Sequence, residues 1–378
     1  MIYYFWRPKI KELEGLLIIL VIVVFIQIFY YLFFFARLSA HNSSAAVHDI
    51  QPVSVVICAR NEASLLEKNL TAILEQNYPH FEVVVVNDNS NDDTQLLLMS
   101  MAKKYPHLII RRLVQHSKSM KGKKYPLTIG IRAATHECIL VTDADCMPSS
   151  KMWIHHMAGM LTDKKEIVLG YAPYKKYKSF LNKFIRYETF MTALQYFSYA
   201  LSGLTYMGTG RNMGYRKSLF FHHNAFQKYP HLLSGDDDLL INEAATAKNV
   251  SVQIDKDSFI YSEPKKNWDE YWAQKQRHVS TSVYYKLKHQ SLLFLFSVSH
   301  LLFYSFIILV LFFTNYQLQA LILFVTRFII QAGLLLPLMK KLGEGDLFWY
   351  FPVMDIMFSF YYLKLLPGVI QTKSAVWK

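Results

Sequence analysis

Cysteine is scarce in this chain: three residues, Cys58, Cys138 and Cys146, in 378. The odd count and the lack of metal-type spacing exclude a disulfide framework and a thiolate metal cluster. Two of the three sit in apolar, strand-like runs and the third follows an acidic pair, which fits core or near-core thiols in a reducing compartment. Acidic residues are also few, 28 against 41 Lys and Arg, leaving a net charge of +13. A basic surface of this kind suits nucleic acid, anionic lipid or an anionic substrate. No nucleic-acid motif is present, so no nucleic-acid partner is expected. No internal repeat or low-complexity tract appears, which excludes a repeat array.

Apolar residues are plentiful, at 52% of the chain, and they are concentrated. Residues 1–15 form a short mixed segment with Arg7, Lys9 and Lys11. Residues 16–36 then run for about twenty positions without a charge, long enough to cross a bilayer. No small-residue cleavage site follows, so an uncleaved anchor is expected rather than a signal peptide. Residues 37–51 are small and polar and read as a linker. At the other end, residues 291–313, 317–339 and 347–369 are three further apolar runs of spanning length. Four spans would place residues 37–290 and the Lys340-Lys341 turn on one side, which the positive-inside rule makes cytoplasmic. Arg327, Asp355 and Lys364 fall inside these runs. Asp355 is expected to pair with a neighbouring cation or to face a transported glycan.

Between the apolar ends, residues 52–267 read as an α/β domain. β-Branched runs at 53–59, 81–86, 108–113 and 139–143 alternate with helical spacing at 64–76, 93–105 and 126–134, which implies a mostly parallel sheet covered on both faces. Residues 151–161 read as a helix and 167–171 as a strand. Residues 180–204 are aromatic and apolar but contain Arg186, Glu188 and Gln195. They read as a helix packed on or under a membrane face, not a span. Residues 268–290 form an amphipathic, interfacial segment.

Each polar motif of the first half follows a strand, so these motifs share one sheet edge, where open α/β sheets bind ligands. Asp143 and Asp145, one residue apart, repel each other unless a cation sits there. Hard oxygen ligands beside a diphosphate favour Mg²⁺ or Mn²⁺. A strand-end helix cap is the other reading of this pair. Asp88 either accepts from a base N–H or closes an Asx turn. Lys123 either faces a diphosphate or belongs to a solvated loop. Asp237 lies within Asp236-Asp237-Asp238, where neighbouring carboxylates raise one another's pKa. That makes a usable general base, or simply an acidic helix start. Gly208 and Gly210 permit close backbone approach or form a turn. Gln274, Arg277 and His278 share one helical face, for a ligand or for the membrane interface.

Taken together, Val53 to Glu62, Val86 to Ser90, Lys121-Gly122-Lys123, Thr142 to Asp145, Gly208 to Asn212, Gly235 to Asp238 and Gln274 to His278 resemble, in order, the motifs of the membrane-bound glycosyltransferase family 2. The resemblance covers residues 52–290. It implies a GT-A fold with an open mixed sheet, an inverting mechanism, and a UDP-sugar donor bound with Mg²⁺ or Mn²⁺. It assigns Ala59, Glu62 and Asp88 to the nucleotide, and Lys123 to the donor side. Asp143 and Asp145 go to diphosphate and metal, and Asp237 (or Asp236, one residue away) to the catalytic base. Gln274 and Arg277 belong near the diphosphate. Gly210, Arg211, Asn212 and His278 fall on the acceptor side. Two departures stand out. The base motif reads Asp-Asp where the family usually has Glu-Asp, and His278 replaces a Trp associated in processive synthases with the acceptor sugar. The expected protein is a multi-pass inner-membrane enzyme with a cytoplasmic catalytic domain and a lipid-linked or glycan acceptor. The alternative is a non-catalytic nucleotide-sugar-binding subunit of a glycan assembly or export complex.

Overall fold

A computed structural model describes residues 10–43, 50–114, 120–223 and 226–370. Arg7, Lys9, part of the 37–51 linker and Lys118 lie outside the described residues. The chain divides into two compact units, one centred on His41–Lys286, the other formed by Met1–Ala40 and Leu287–Leu366.

The first unit is built on nine strands among the described residues: β1 (Val53–Ala59), β2 (Phe81–Asp88), β3 (Leu108–Leu113), β4 (Cys138–Asp143), β5 (Met147–Pro148), β6 (Ile167–Gly170), β7 (Met213–Arg216), β8 (Val250–Gln253) and β9 (Ile260–Tyr261). Seven form one sheet in the order β3-β2-β1-β4-β7-β6-β8, and β5 with β9 forms a short ribbon. The β1–β2, β1–β4, β2–β3 and β6–β8 pairs are parallel, whereas β7 is antiparallel to both neighbours. The sheet is therefore mixed. All seven residues of β1 are buried, as expected of a parallel strand covered on both faces. Alternate residues serve opposite layers. Val53, Val55 and Ile57 join Leu66, Leu70 and Trp153 in one core. On the other face a Cβ on Gly130, in the helix Lys124–Ala133, would meet the Val56 side chain at 2.5 Å, so that helix lies directly on β1.

The helix Phe180–Leu201 is not among the helices apolar enough to span, and it is largely buried, with Arg186 and Glu188 both 2% exposed. Glu188 forms an ion pair with Lys275 of the helix Trp268–Val279. That second helix also stops sooner than the amphipathic pattern suggests. A 3₁₀ turn at Ser282–Tyr284 follows it, and the next helix starts at Leu287.

Among the described residues of the second unit, three helices are long and apolar enough to cross a membrane: Glu14–Ala40, Leu287–Phe313 and Gln317–Lys341. The first carries a π-helical stretch at Tyr30–Phe35. The run expected at 347–369 is a helix over Phe351–Ile370, yet it is not among the three.

Asp355 resolves the two expectations for it in favour of pairing. It is 2% exposed, and Arg327 Nη1 donates to it at 3.0 Å, Gln331 Nε2 at 2.7 Å and the Tyr304 hydroxyl also. His300 Nε2 lies 3.1 Å from the same carboxylate. Gln27 accepts from Arg327 at 3.3 Å and donates to Ser299 at 2.6 Å. A charge without water is tolerated only when it is paired and its lone pairs are filled, and here one carboxylate collects donors from two other helices. Asp355→Leu should therefore lower the melting temperature of the solubilised protein, at a cost of about 3–5 kcal/mol, by leaving Arg327 buried and unpaired. Adding Arg327→Met should recover most of the loss, and thermal unfolding in detergent compares the single and double variants.

Candidate active site

The sheet's polarity gathers the motifs. β1, β2 and β4 run in parallel, so Glu62, Asp88 and Asp143 emerge at one edge. β7 runs the other way, so the segment entering it, Gly208 to Asn212, arrives at that same edge. Ala59 and Asp88 are the last residues of their strands and both are buried. The turns after β1 and β2 are linked: Asn61 N donates to Ser90 Oγ at 2.9 Å and Asn91 N to Asn61 Oδ1 at 2.8 Å. Asn61 and Asn89 both adopt positive φ, a conformation Asn tolerates better than most side chains.

Ligand atoms of Asp143, Asp145 and Cys146 lie within 4.8 Å of one another. Burial pushes the Cys146 thiol well up, and it donates to Asp145 Oδ1 at 3.3 Å, so it is a protonated neighbour rather than a thiolate ligand. The two carboxylates remain as hard donors, a set that fits Mg²⁺ or Mn²⁺. Lys123 forms an ion pair with Asp143. Burial alone would raise the Asp143 carboxyl, but the Lys123 ammonium and the guanidinium groups of Arg211 and Arg277 hold it below the usual range. Asp145 is raised by burial and then by Asp143. Glu62 is pushed up to about 7 by burial, then by Asp145 and Asp143, which places it beside the pair.

Asp237 caps the helix Asp238–Ala244. Gly210 N donates to its Oδ2 at 2.8 Å and Asp238 N to its Oδ1 at 2.8 Å. Gly210 favours this approach, because a Cβ there would stand a tight 3.3 Å from Asp237 Oδ2. Burial and the flanking Asp236 and Asp238 outweigh these hydrogen bonds and push the Asp237 carboxyl up to about 7. Asp238 is committed elsewhere, since Thr281 and Tyr285 donate to its Oδ2 and Leu239 N to its Oδ1. Asp236 is half-buried between Gly235 and Asp237.

Arg277 Nη1 donates to Ser234 Oγ at 3.1 Å, three residues before Asp237. Gln274 is half-buried on the same helix, and His278 is exposed, its Nε2 3.4 Å from Arg277 Nη2. Arg211 stacks on the Tyr174 ring at 4.3 Å and donates to Ser262 Oγ. Neither partner stood out in the sequence, because their spacing carries no motif.

Asn212 is the correction. It was expected on the acceptor side, but it is 0% exposed and its amide is saturated. It accepts from Trp153 Nε1 at 3.0 Å and donates to the carbonyls of Tyr171 at 2.7 Å and Ser258 at 2.9 Å. It is a buried fastener between the segments around the site. Asn212→Ala should cost about 2–5 kcal/mol, since it leaves buried polar groups unpaired, while nucleoside-diphosphate affinity measured well below the melting temperature stays unchanged. Thermal unfolding and calorimetric titration check the two halves.

The glycosyl transferase family 2 profile matches residues 54–222. The chain is 30% identical over 145 residues to the probable glycosyltransferase YdaM of Bacillus subtilis, covering 37% of this chain and 34% of that protein. It is 34% identical over 109 residues to the beta-monoglucosyldiacylglycerol synthase of Trichormus variabilis, covering 27% and 22%. The matched regions thus span about a third or less of these relatives. The fold resembles that of the mannosyltransferase PcManGT of Pyrobaculum calidifontis, with a TM-score of 0.58, 18% identity, and coverage of 93% of this chain and 99% of that one. Residues 54–222 thus resemble glycosyl transferase family 2, and they carry most of the mixed sheet.

Proposed function

We propose that this protein is a membrane-bound, inverting glycosyltransferase that moves a sugar from a nucleotide-sugar, a UDP-sugar, to a hydroxyl of a lipid-linked or glycan acceptor. The observation that carries the reading is Asp237, a half-buried carboxyl pushed up to about 7 on the sheet edge that also presents Asp143, Asp145 and Lys123. A general base works best with a pKa near the operating pH. The relatives support the acceptor class: one is named as a synthase of a glucosyldiacylglycerol, another, from Staphylococcus epidermidis, as a poly-beta-1,6-N-acetyl-D-glucosamine synthase. Three helices of spanning length support a membrane location, and the Lys340-Lys341 pair supports a cytoplasmic domain.

In this mechanism the acceptor hydroxyl attacks the anomeric carbon from the face opposite the diphosphate. Asp237 takes the hydroxyl proton as the new carbon–oxygen bond forms. The bond from the anomeric carbon to the diphosphate oxygen breaks, and the electron pair leaves with the nucleoside diphosphate. Ala59, Glu62 and Asp88 line the nucleotide end. Lys123 and Arg277 supply positive charge where the diphosphate departs, and Gln274 stands one helical turn from Arg277 on the same side. Gly210, Arg211 and His278 flank the acceptor approach. Asp145 and Asp143 would hold a divalent cation, which when bound neutralises charge on the leaving diphosphate. The PcManGT structure of similar fold contains GDP-mannose and Mn²⁺, so guanosine donors belong in any test.

Asp237→Asn should reduce transfer by about 10²–10⁴-fold while donor binding persists. Initial rates across a panel of UDP- and GDP-sugars, with lipid extract as acceptor, give the comparison, and near-normal turnover in the variant refutes the assignment. For the wild type, kcat/KM should rise about tenfold per pH unit below about 7 and level off above it, because a protonated Asp237 cannot accept the hydroxyl proton. A profile flat from pH 5 to pH 8 contradicts that role.

A further inference from the structure

The basic loop holds a second lysine that the mechanism does not use. Lys124 is 0% exposed, although it sits in a run of Lys and Gly. Its Nζ donates to the Leu232 carbonyl at 2.6 Å and also to the Ser234 carbonyl. The carbonyl between them, that of Leu233, faces Gly122, whose φ of +68° leaves no room for a side chain: a Cβ would stand 2.3 Å from that oxygen. Lys121 N donates to Pro230 O at 2.9 Å. Residues 121–124 thus grip the segment 230–234 along its main chain. Asp237 follows three residues after Ser234, across Gly235, which adopts φ +97°. On the other side of the same loop, Lys123 is paired with Asp143.

A buried ammonium is costly unless its donors are filled, and Lys124 spends them on backbone carbonyls rather than on a carboxylate. Carbonyl oxygens fix position without neutralising the charge, and that charge remains within electrostatic reach of Asp236, Asp238 and Asp237. We propose that Lys124 is a positioning residue of the transfer reaction: it holds the loop 230–235, and through it the base Asp237, in register with the donor-side Lys123. The proposal rests on the transferase reading above. Lys123 and Lys124 are adjacent at the start of the helix Lys124–Ala133, so an anion drawn to Lys123 acts on the same turn that Lys124 ties to the base loop.

The test is Lys124→Met in the full-length protein in detergent. Methionine keeps an unbranched chain of similar volume and removes the ammonium. The expected result is a fall in kcat of about 10²-fold, the scale for misplacing a reacting group by about an ångström, with the donor KM changed less than threefold. Hydrogen exchange supplies a readout that needs no turnover. Amides of 230–238 should exchange at least tenfold faster in the variant, while those of β1 and β4 keep wild-type rates. In the wild type, saturating UDP with Mn²⁺ should slow exchange at 230–238, and in the variant it should not. Wild-type exchange at 230–238 in Lys124→Met overturns the proposal, as does acceleration spread equally over β1 and β4, which would mark a merely structural lysine. A wild-type protein that turns over no donor refutes the transferase reading instead, and the exchange experiment then decides the role of Lys124 in holding the loop.

Discussion

Repulsion among carboxylates is the constraint around which the first unit is arranged. Glu62, Asp143 and Asp145 meet at one sheet edge, and Glu62 and Asp145 are raised by burial and then by their neighbours. The Lys123–Asp143 ion pair offsets this crowding and keeps at least one of the three ionised. Arg211 and Arg277 add charge from two other segments, each held by a neutral serine hydroxyl, Ser262 and Ser234, and not by an acid. Their charge stays available for an anion. Such a site favours a ligand that is itself polyanionic and arrives with a divalent cation, because that combination satisfies both sets of charges at once.

The triple acid applies the same physics to a different end. Asp238 accepts hydrogen bonds from the Thr281 and Tyr285 hydroxyls, so it anchors the helix start, while Asp237 is left with backbone donors only. Three adjacent carboxylates are separated by their partners into an anchor, a candidate base and a neighbour that raises the base. The second unit shows the complementary solution. There a single carboxylate, Asp355, draws Arg327, Gln331, His300 and Tyr304 around itself, and no further acid shares the network among the described residues.

The parallel half of the sheet was legible because β-branched runs at 53–59, 81–86, 108–113 and 139–143 have no helical spacing, and because polar residues follow each run. β2 extends two residues further, so that Asp88 is its last residue. What the sequence conceals is which polar residues of a motif turn inward. Asn212 reads like a ligand beside Arg211, yet Trp153, far away in the chain, claims its amide. Lys124 reads as one more solvated cation. A signal was present: Lys124, Leu127, Thr128 and Ile131 share the buried side of one helix, at the 3–4 spacing of a core face. The helix Phe180–Leu201 has aromatic and apolar residues all round it, a pattern that fits its burial. The ion pair of its Glu188 with Lys275 depends on a tertiary contact across almost ninety positions, roughly the reach at which local pattern says nothing.

The central claim is that the edge carrying Asp143, Asp145 and Lys123 is a metal-assisted site for a nucleoside diphosphate. Calorimetric titration of the solubilised protein with UDP and with GDP, in Mn²⁺, in Mg²⁺ and in chelator, tests it most directly, with Asp145→Asn as the comparison. The account predicts binding of one nucleoside diphosphate that weakens at least tenfold on chelation and equally in Asp145→Asn. Binding that is unaffected by chelator and by that substitution, or no binding of either nucleotide in any metal, would contradict it.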